Sequence, residues 1–193
     1  MATNRIKIII NHDVDINFPF TKYISHMVNL VPKNDIVGLY KINIQYNIPK
    51  NTYKKIKGEA TQAIYYRDKA FGGGIDVFLS NIINISIPDY AFTIYKEIGG
   101  LFFSEIIFHE IGHHVHFSKR HGIRKKNYEK YASKYARIGY LKYFKSRSSK
   151  ILMSYKLASL NIFYFSKTDR EVIVNSRKEL ENYKKYHKEI SFP

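Results

Sequence analysis

Apolar and polar residues alternate along the first half of the chain. The alternation over residues 36–48, whose central part reads Leu-Tyr-Lys-Ile-Asn-Ile-Gln-Tyr, predicts a β-strand, and a shorter stretch over residues 5–10 predicts another. Between them, residues 27–32 are typical of a short helix that ends at a proline. This half of the chain is therefore expected to be mainly β.

Two further apolar stretches, residues 63–67 and 75–83, flank three consecutive glycines at 72–74. Because glycine favours turns, the pattern predicts a hairpin whose loop contains the three glycines. No Gly-Lys-Ser or Gly-Lys-Thr follows them, so a phosphate-binding loop is not indicated.

After Pro88 the chain takes on a helical character. We expect four helices, the last of them polar, over about residues 100–120, 125–147, 150–165 and 169–187. The 193 residues are expected to form one α+β domain, mainly β over 1–90 and mainly helical over 91–193.

The segment His-Glu-Ile-Gly-His at 109–113 carries the main candidate chemistry. On a helix, His109 and His113 lie on one face, so both ring nitrogens can bind a single metal ion. Glu110 points about 100° away around the helix, within reach of a water on that ion, and this spacing is the metallopeptidase motif H-E-x-x-H. The alternative is a helix with two ordinary histidines. The apolar residues within 101–108 predict a buried helix. Such a helix tolerates unpaired histidine and glutamate poorly, so a metal site is favoured over this alternative.

A zinc site of this kind needs a third protein ligand. Glu129 is the only carboxylate from residue 111 to 168, in a strongly basic stretch. Ala132 and Ala136 follow on the same helix face, and small residues there let another helix pack closely. Gly112, between the histidines, would likewise let either another backbone or the metal approach closely. The alternative for Glu129 is a surface ion pair, which contributes little.

Together, the motif at 109–113 and the sequence Glu-x-x-Ala-x-x-Tyr-Ala at 129–136 resemble the gluzincin branch of the zincin metallopeptidases. The second part is similar to the Glu-x-x-Ala-x-x-Phe-Ala helix of the ImmA and IrrE type peptidases, with Tyr135 where that group usually has phenylalanine. The resemblance covers at most residues 75–145. It implies a zincin-like fold, in which a small mixed β-sheet is followed by the metal-binding helix and by a helix that bears the glutamate.

The resemblance also implies roles for individual residues. Zinc would bind to His109, His113 and Glu129, and Glu110 would be the catalytic base that activates water. Two imidazoles and a carboxylate can also hold iron, manganese or cobalt. In zincins the strand before the metal helix typically forms the sheet edge that pairs with an extended substrate. Residues 75–79 are the candidate by position, although an interior strand would have the same apolar content.

Other histidines fit the metal less well. His116 lies about 10 Å along a straight helix from His109, too far to share its ion. His114 projects away from the ligand face and is expected to be a surface or packing residue, and His121, which precedes a glycine, is expected at a helix C-terminus. Three tyrosines remain eligible as donors that stabilise an oxyanion: Tyr140, Tyr143 and Tyr164.

The net charge is +16, and basic residues with interleaved tyrosines concentrate in residues 119–150. This segment is either a solvated helix face or a patch that attracts nucleic acid or an acidic partner. Cysteine is absent, which excludes disulfides and is compatible with a reducing compartment. No apolar run approaches the ~20 residues that cross a membrane, and residues 151–165 favour core packing over membrane contact. We therefore expect a cytoplasmic protein.

Two classes of function follow. The first is a zinc-dependent metalloendopeptidase that hydrolyses peptide bonds of an intracellular protein, with or without a regulator. The second is a non-catalytic zinc-fold module that binds nucleic acid or an acidic protein partner through its basic surface. Glu110 favours the peptidase, because a purely structural zinc site needs no base beside it.

Overall fold

The computed structural model describes residues 6–49, 61–68, 72–83, 91, 93–119, 127–161 and 167–186. The helices and strands follow one another as β1 (Lys7–Ile10), α1 (Phe20–Leu30), β2 (Leu39–Gln45), β3 (Ala63–Asp68), β4 (Gly72–Phe78), α2 (Lys96–Ser118), α3 (Tyr128–Leu160) and α4 (Lys167–Tyr186). This mixed architecture, with a four-stranded sheet, confirms the predicted α+β class.

The sheet has the strand order β1-β2-β4-β3. Strands β1, β2 and β4 are parallel, whereas β3 pairs with β4 in the antiparallel direction, with Tyr65 opposite Ile75. The hairpin prediction is therefore confirmed. The prediction that residues 75–79 form a sheet edge is wrong, because β4 lies between β2 and β3 and its Ile75 and Val77 are fully buried. Among the described strands, β3 is the edge strand on this side.

The three glycines at 72–74 lie in β4 rather than in the predicted loop. Two of these glycines have a local structural reason. Gly72 has a φ of +99°, a backbone conformation that favours glycine. Gly73 lies beneath two rings, because an added Cβ would come within 2.8 Å of the His114 Nδ1 and of the Tyr65 ring. The glycines thus let β4 pass beneath side chains from α2 and β3.

Helix α1 begins seven residues earlier than the helix expected at 27–32. Its buried residues recur at helical spacing: Phe20, Tyr23, Ile24 and Met27. Helix α2 is buried on most sides, as the apolar sequence before the histidines predicts.

The two helices expected at 125–147 and 150–165 form one continuous helix, α3. The prediction of a break was wrong because the serines near residue 148 do not interrupt the helix. Ser146 donates its hydroxyl hydrogen to the Tyr143 carbonyl within the same helix at 2.8 Å. The buried stripe continues beyond Ser146 through Ile151, Tyr155 and Ala158. Both halves of α3 therefore pack against the core.

An ion pair fixes the middle of α3 to the start of α2. Arg147 donates to both carboxylate oxygens of Glu97, at 2.8 and 2.5 Å, and its guanidinium lies over the Tyr23 ring of α1. These contacts hold three helices together at the end of α2 that is remote from the histidines. None of the helices in the described part of the chain is both long and apolar enough to cross a membrane.

Candidate metal centre

A close crossing of α2 and α3 builds the candidate site. Gly112 faces α3 so tightly that an added Cβ would lie 2.8 Å from the Ala132 Cα and 2.9 Å from the Tyr135 Cβ. The expectation that Gly112 admits another backbone is therefore confirmed. Because Ala132 and Glu129 are three residues apart on α3, the same crossing carries the Glu129 carboxylate to the histidines of α2.

The structure brings His109, His113 and Glu129 together. The Glu129 Oε2 lies 3.3 Å from the His109 Nε2 and 3.6 Å from the His113 Nε2. One ligand atom from each of the three residues lies within 4.8 Å of the others. Ligands at zinc distances of about 2.0–2.1 Å in a tetrahedron are separated by about 3.3 Å. The two distances from the Glu129 oxygen are close to this separation, so the three residues could hold a zinc ion.

The surroundings of His113 favour a metal ligand over a cation. Burial, together with the nearby His109 and His116 rings, lowers the pKa of His113 to about 4. The imidazole is therefore neutral near pH 7, and its Nε2 lone pair is available to an ion. Tyr128 stacks on the same ring, with centroids 4.1 Å apart and planes inclined by 21°.

Glu110 is buried, with 7% of its surface exposed, and it borders the same cleft. Burial is the main cause that raises its pKa, to about 7, and the charge of Glu129 acts in the same direction. The backbone N–H of Tyr65 in β3 donates to the Glu110 carboxylate and acts in the opposite direction. The structure thus places the predicted base beside the predicted ligands without making it a member of the ligand group.

The site opens into a cleft of about 500 Å³. Its walls are the face of α2 that bears His109 and His113, Glu129 of α3, and the segment 61–63 at the start of β3. Two turns of α2 before the histidines also contribute, through Phe102, Glu105 and Ile106. The cleft therefore extends beyond the metal centre along α2, and β3 runs beside it.

The remaining histidines have other surroundings. His114 is buried and joins α2 to the sheet, since its Nε2 donates to the Val37 carbonyl at 3.0 Å and its Nδ1 accepts from the Tyr65 hydroxyl at 3.2 Å. The packing role expected for His114 is the one observed. His116 is also buried, packs against Tyr128 and Tyr131, and does not belong to the ligand group. His121 lies outside the described residues.

Of the three tyrosines eligible as oxyanion donors, Tyr140 and Tyr143 do not border the cleft. Tyr143 is fully buried beside Gly100, about three helical turns before the crossing at Gly112. Tyr140 is near Glu105 but does not line the cavity. Tyr164 lies outside the described residues.

Sequence reasoning missed Tyr128 and Glu105. Tyr128 immediately precedes the third ligand, which is a positional signal, but seventeen tyrosines in the chain gave it no distinction. Glu105 lies one helical turn before His109, a spacing that places both on one face of α2. This four-residue spacing between Glu105 and His109 is visible in the sequence alone.

Tyr128 is expected to orient His113. A metal-binding imidazole is usually held through its second nitrogen, but the buried Nδ1 of His113 has no hydrogen-bond partner among the described residues. The stacked Tyr128 ring is the group in contact with its face. Tyr128→Leu should therefore weaken zinc binding about tenfold, whereas Tyr128→Phe, which keeps the ring, should not. Competition with a chelating dye measures both affinities, and equal zinc affinity in the Leu variant and the wild type would contradict this role.

Compared with known proteins, the chain matches no family model, no curated protein and no solved structure at a significant level.

Proposed function

We propose that the protein is a zinc-dependent metallopeptidase that hydrolyses peptide bonds of another protein. One observation carries the proposal: the ligand atoms of His109, His113 and Glu129 converge at the cleft that the buried Glu110 also borders. A metal site that only stabilises a fold is closed by four protein ligands, whereas a catalytic site keeps one position open. Three ligands, a base and an open cleft are the parts that hydrolysis requires.

Each residue then has a role. The zinc would be held by His109, His113 and Glu129. As a Lewis acid, it would activate water and polarise a carbonyl. Glu110 accepts the proton of the attacking water and passes it to the leaving amine. The hydrogen bond from the Tyr65 N–H orients the Glu110 carboxylate without occupying the whole group, because a carboxylate accepts several hydrogen bonds.

Strand β3 takes the substrate-pairing role that the resemblance assigned to residues 75–79. It is the edge strand, and residues 61–63 at its start border the cleft. An extended peptide could add to such an edge through backbone hydrogen bonds, which demand no particular sequence. Support for this role is that the start of β3 borders the same cleft as His109, His113 and Glu129.

The second candidate is a zinc module that binds nucleic acid or an acidic partner. Its support is the row of exposed basic residues along α3: Lys130, Lys134, Arg137, Lys145 and Lys150. None of these residues borders the cleft. The basic face and the metal centre are thus separate surfaces, and binding through the former is compatible with hydrolysis at the latter.

Metal content is the measurement that tests the proposed function. Elemental mass spectrometry of the purified protein should find about one zinc per chain, and the zinc should be lost in Glu129→Ala and in His113→Ala. Glu171→Ala, which removes an exposed carboxylate of α4, is the matched control and should keep it. Casein hydrolysis should be abolished by a chelator and restored by zinc. The variants that lose zinc should also lose this activity. A wild-type protein that takes up no zinc at neutral pH would overturn the proposal.

A further inference from the structure

The charges that line the cleft differ in sign from those of the chain as a whole. Lysine and arginine number 32 in a chain of net charge +16, yet the described residues around the cleft include none of them. The charged groups there are three glutamates, Glu105, Glu110 and Glu129. Glu129 and Glu110 have proposed roles at the metal centre. Glu105 remains as a negative charge with no role in the reaction.

Glu105 lies one turn before His109, about 6 Å along the axis of α2. Its side chain is exposed, and within the described part of the chain no lysine or arginine forms an ion pair with it. Tyr140 of α3 lies near it: burial and the charge of Glu105 raise the pKa of Tyr140, whereas the charge of Arg137, also on α3, lowers it. A neutral phenol does not cancel the carboxylate charge. Glu105 also lies outside the group of residues that could hold the metal.

The surface around Glu105 is apolar. Phe102 and Ile106 line the same part of the cleft, and both are partly buried against the core. Phe102 lies about 10 Å along the helix axis from His109, so this wall extends two turns beyond the metal centre. An apolar wall with one carboxylate suits a side chain that has an aliphatic stem and a cationic end, because lysine and arginine pack their methylene groups on apolar surface and keep the charge at a polar site.

We propose that this part of the cleft is a specificity site for a lysine or arginine side chain adjacent to the scissile peptide bond. The stem of that side chain packs on Phe102 and Ile106, and its cation pairs with Glu105. The inference rests on the proposed function, since it names the substrates of the same cleft. The substrates it selects are basic segments of proteins.

Matched peptides test the charge directly. Internally quenched peptides would carry lysine, norleucine or glutamate at either position flanking the cleaved bond, norleucine having an aliphatic chain similar to that of lysine without the charge. For the zinc-loaded wild type, kcat/KM should be about tenfold higher with lysine than with norleucine. Glu105→Gln should remove this preference, and Glu105→Lys should shift it toward glutamate. Glu171→Gln, outside the cleft, should leave the preference unchanged.

A binding experiment separates failure of this inference from failure of the proposed function. The same lysine and norleucine peptides, labelled with a fluorophore, would be titrated into zinc-loaded Glu110→Gln protein and its Glu105→Gln double variant. Stronger binding of the lysine peptide that depends on Glu105, without hydrolysis by the wild type, would support the specificity site and overturn the peptidase. Hydrolysis with equal preference for lysine and norleucine would overturn the specificity site and leave the peptidase standing. No cleavage and no Glu105-dependent binding would overturn both.

Discussion

Replacing Glu110 by glutamine should lower peptide hydrolysis by a factor of about 10²–10⁴, the contribution typical of a positioned general base. Glutamine has nearly the same shape as glutamate, and its amide oxygen can still accept the hydrogen bond from the Tyr65 N–H. It cannot take the proton of the attacking water. The zinc-loaded variant should therefore keep its metal and its fold while kcat falls. Initial rates on a quenched peptide, normalised to bound zinc, measure the effect.

The comparison with Glu129→Gln defines what the Glu110 result means. Glu129 is 71% exposed and belongs to the ligand group, so its replacement should lower zinc affinity and activity together. Glu110→Gln should lower activity alone. If Glu110→Gln hydrolyses peptides at the wild-type rate, Glu110 is not the base. If it loses zinc as Glu129→Gln does, the glutamate has a structural role at the centre instead.

Gly112→Ala should destabilise the protein by about 1–3 kcal/mol, although alanine favours a helix by roughly 1 kcal/mol over glycine. The added methyl group would meet the Ala132 backbone at 2.8 Å, and a backbone atom cannot rotate aside. The crossing of α2 and α3 must then widen. Because Glu129 approaches His113 only through this crossing, we also expect zinc affinity to fall by at least tenfold. Thermal unfolding of the metal-free protein gives the first effect, and a chelator titration gives the second.

Gly100→Ala is the control for that prediction. Gly100 is also a buried glycine of α2, but an added Cβ would meet the Tyr23 ring of α1 and the Tyr143 hydroxyl, away from the metal centre. It should lower stability while zinc affinity, measured well below the melting temperature, stays near that of the wild type. If Gly112→Ala binds zinc as tightly as Gly100→Ala does, the close crossing is not what positions Glu129.

The parts of the structure that depend on local spacing could be predicted from the sequence. His109 and His113 share a face because residues four apart on a helix always do. The small side chain of Ala132 and the absence of one at Gly112 indicated a close helix contact, which the structure contains. Glu129 could be selected as the third ligand by elimination, since no other carboxylate lies in that part of the chain.

The parts that depend on non-local pairing could not be predicted. Strand order is decided by which strands meet across the whole sheet, and the alternation within β4 is the same for an edge and an interior position. The missed continuity of α3 has a different cause. Residues near Ser148 have weak helix propensity, but the burial of Ile151 and Tyr155 against the core overrides it. The stacking of Tyr128 on His113 likewise depends on the angle at which α2 and α3 cross, and this angle cannot be predicted from a sequence pattern.

Tyr65 touches α2 twice, and this has a consequence for how the protein can evolve. Its backbone N–H holds the Glu110 carboxylate, and its hydroxyl donates to His114, which stands one turn further along the same helix. The stripe of α2 that anchors the helix to the sheet is thus also the stripe that carries the proposed base. Substitutions that repack β3 would displace Glu110 as well, so adaptation to new substrates is expected to proceed through the part of the cleft formed by Phe102, Glu105 and Ile106, where side chains can change without moving the base.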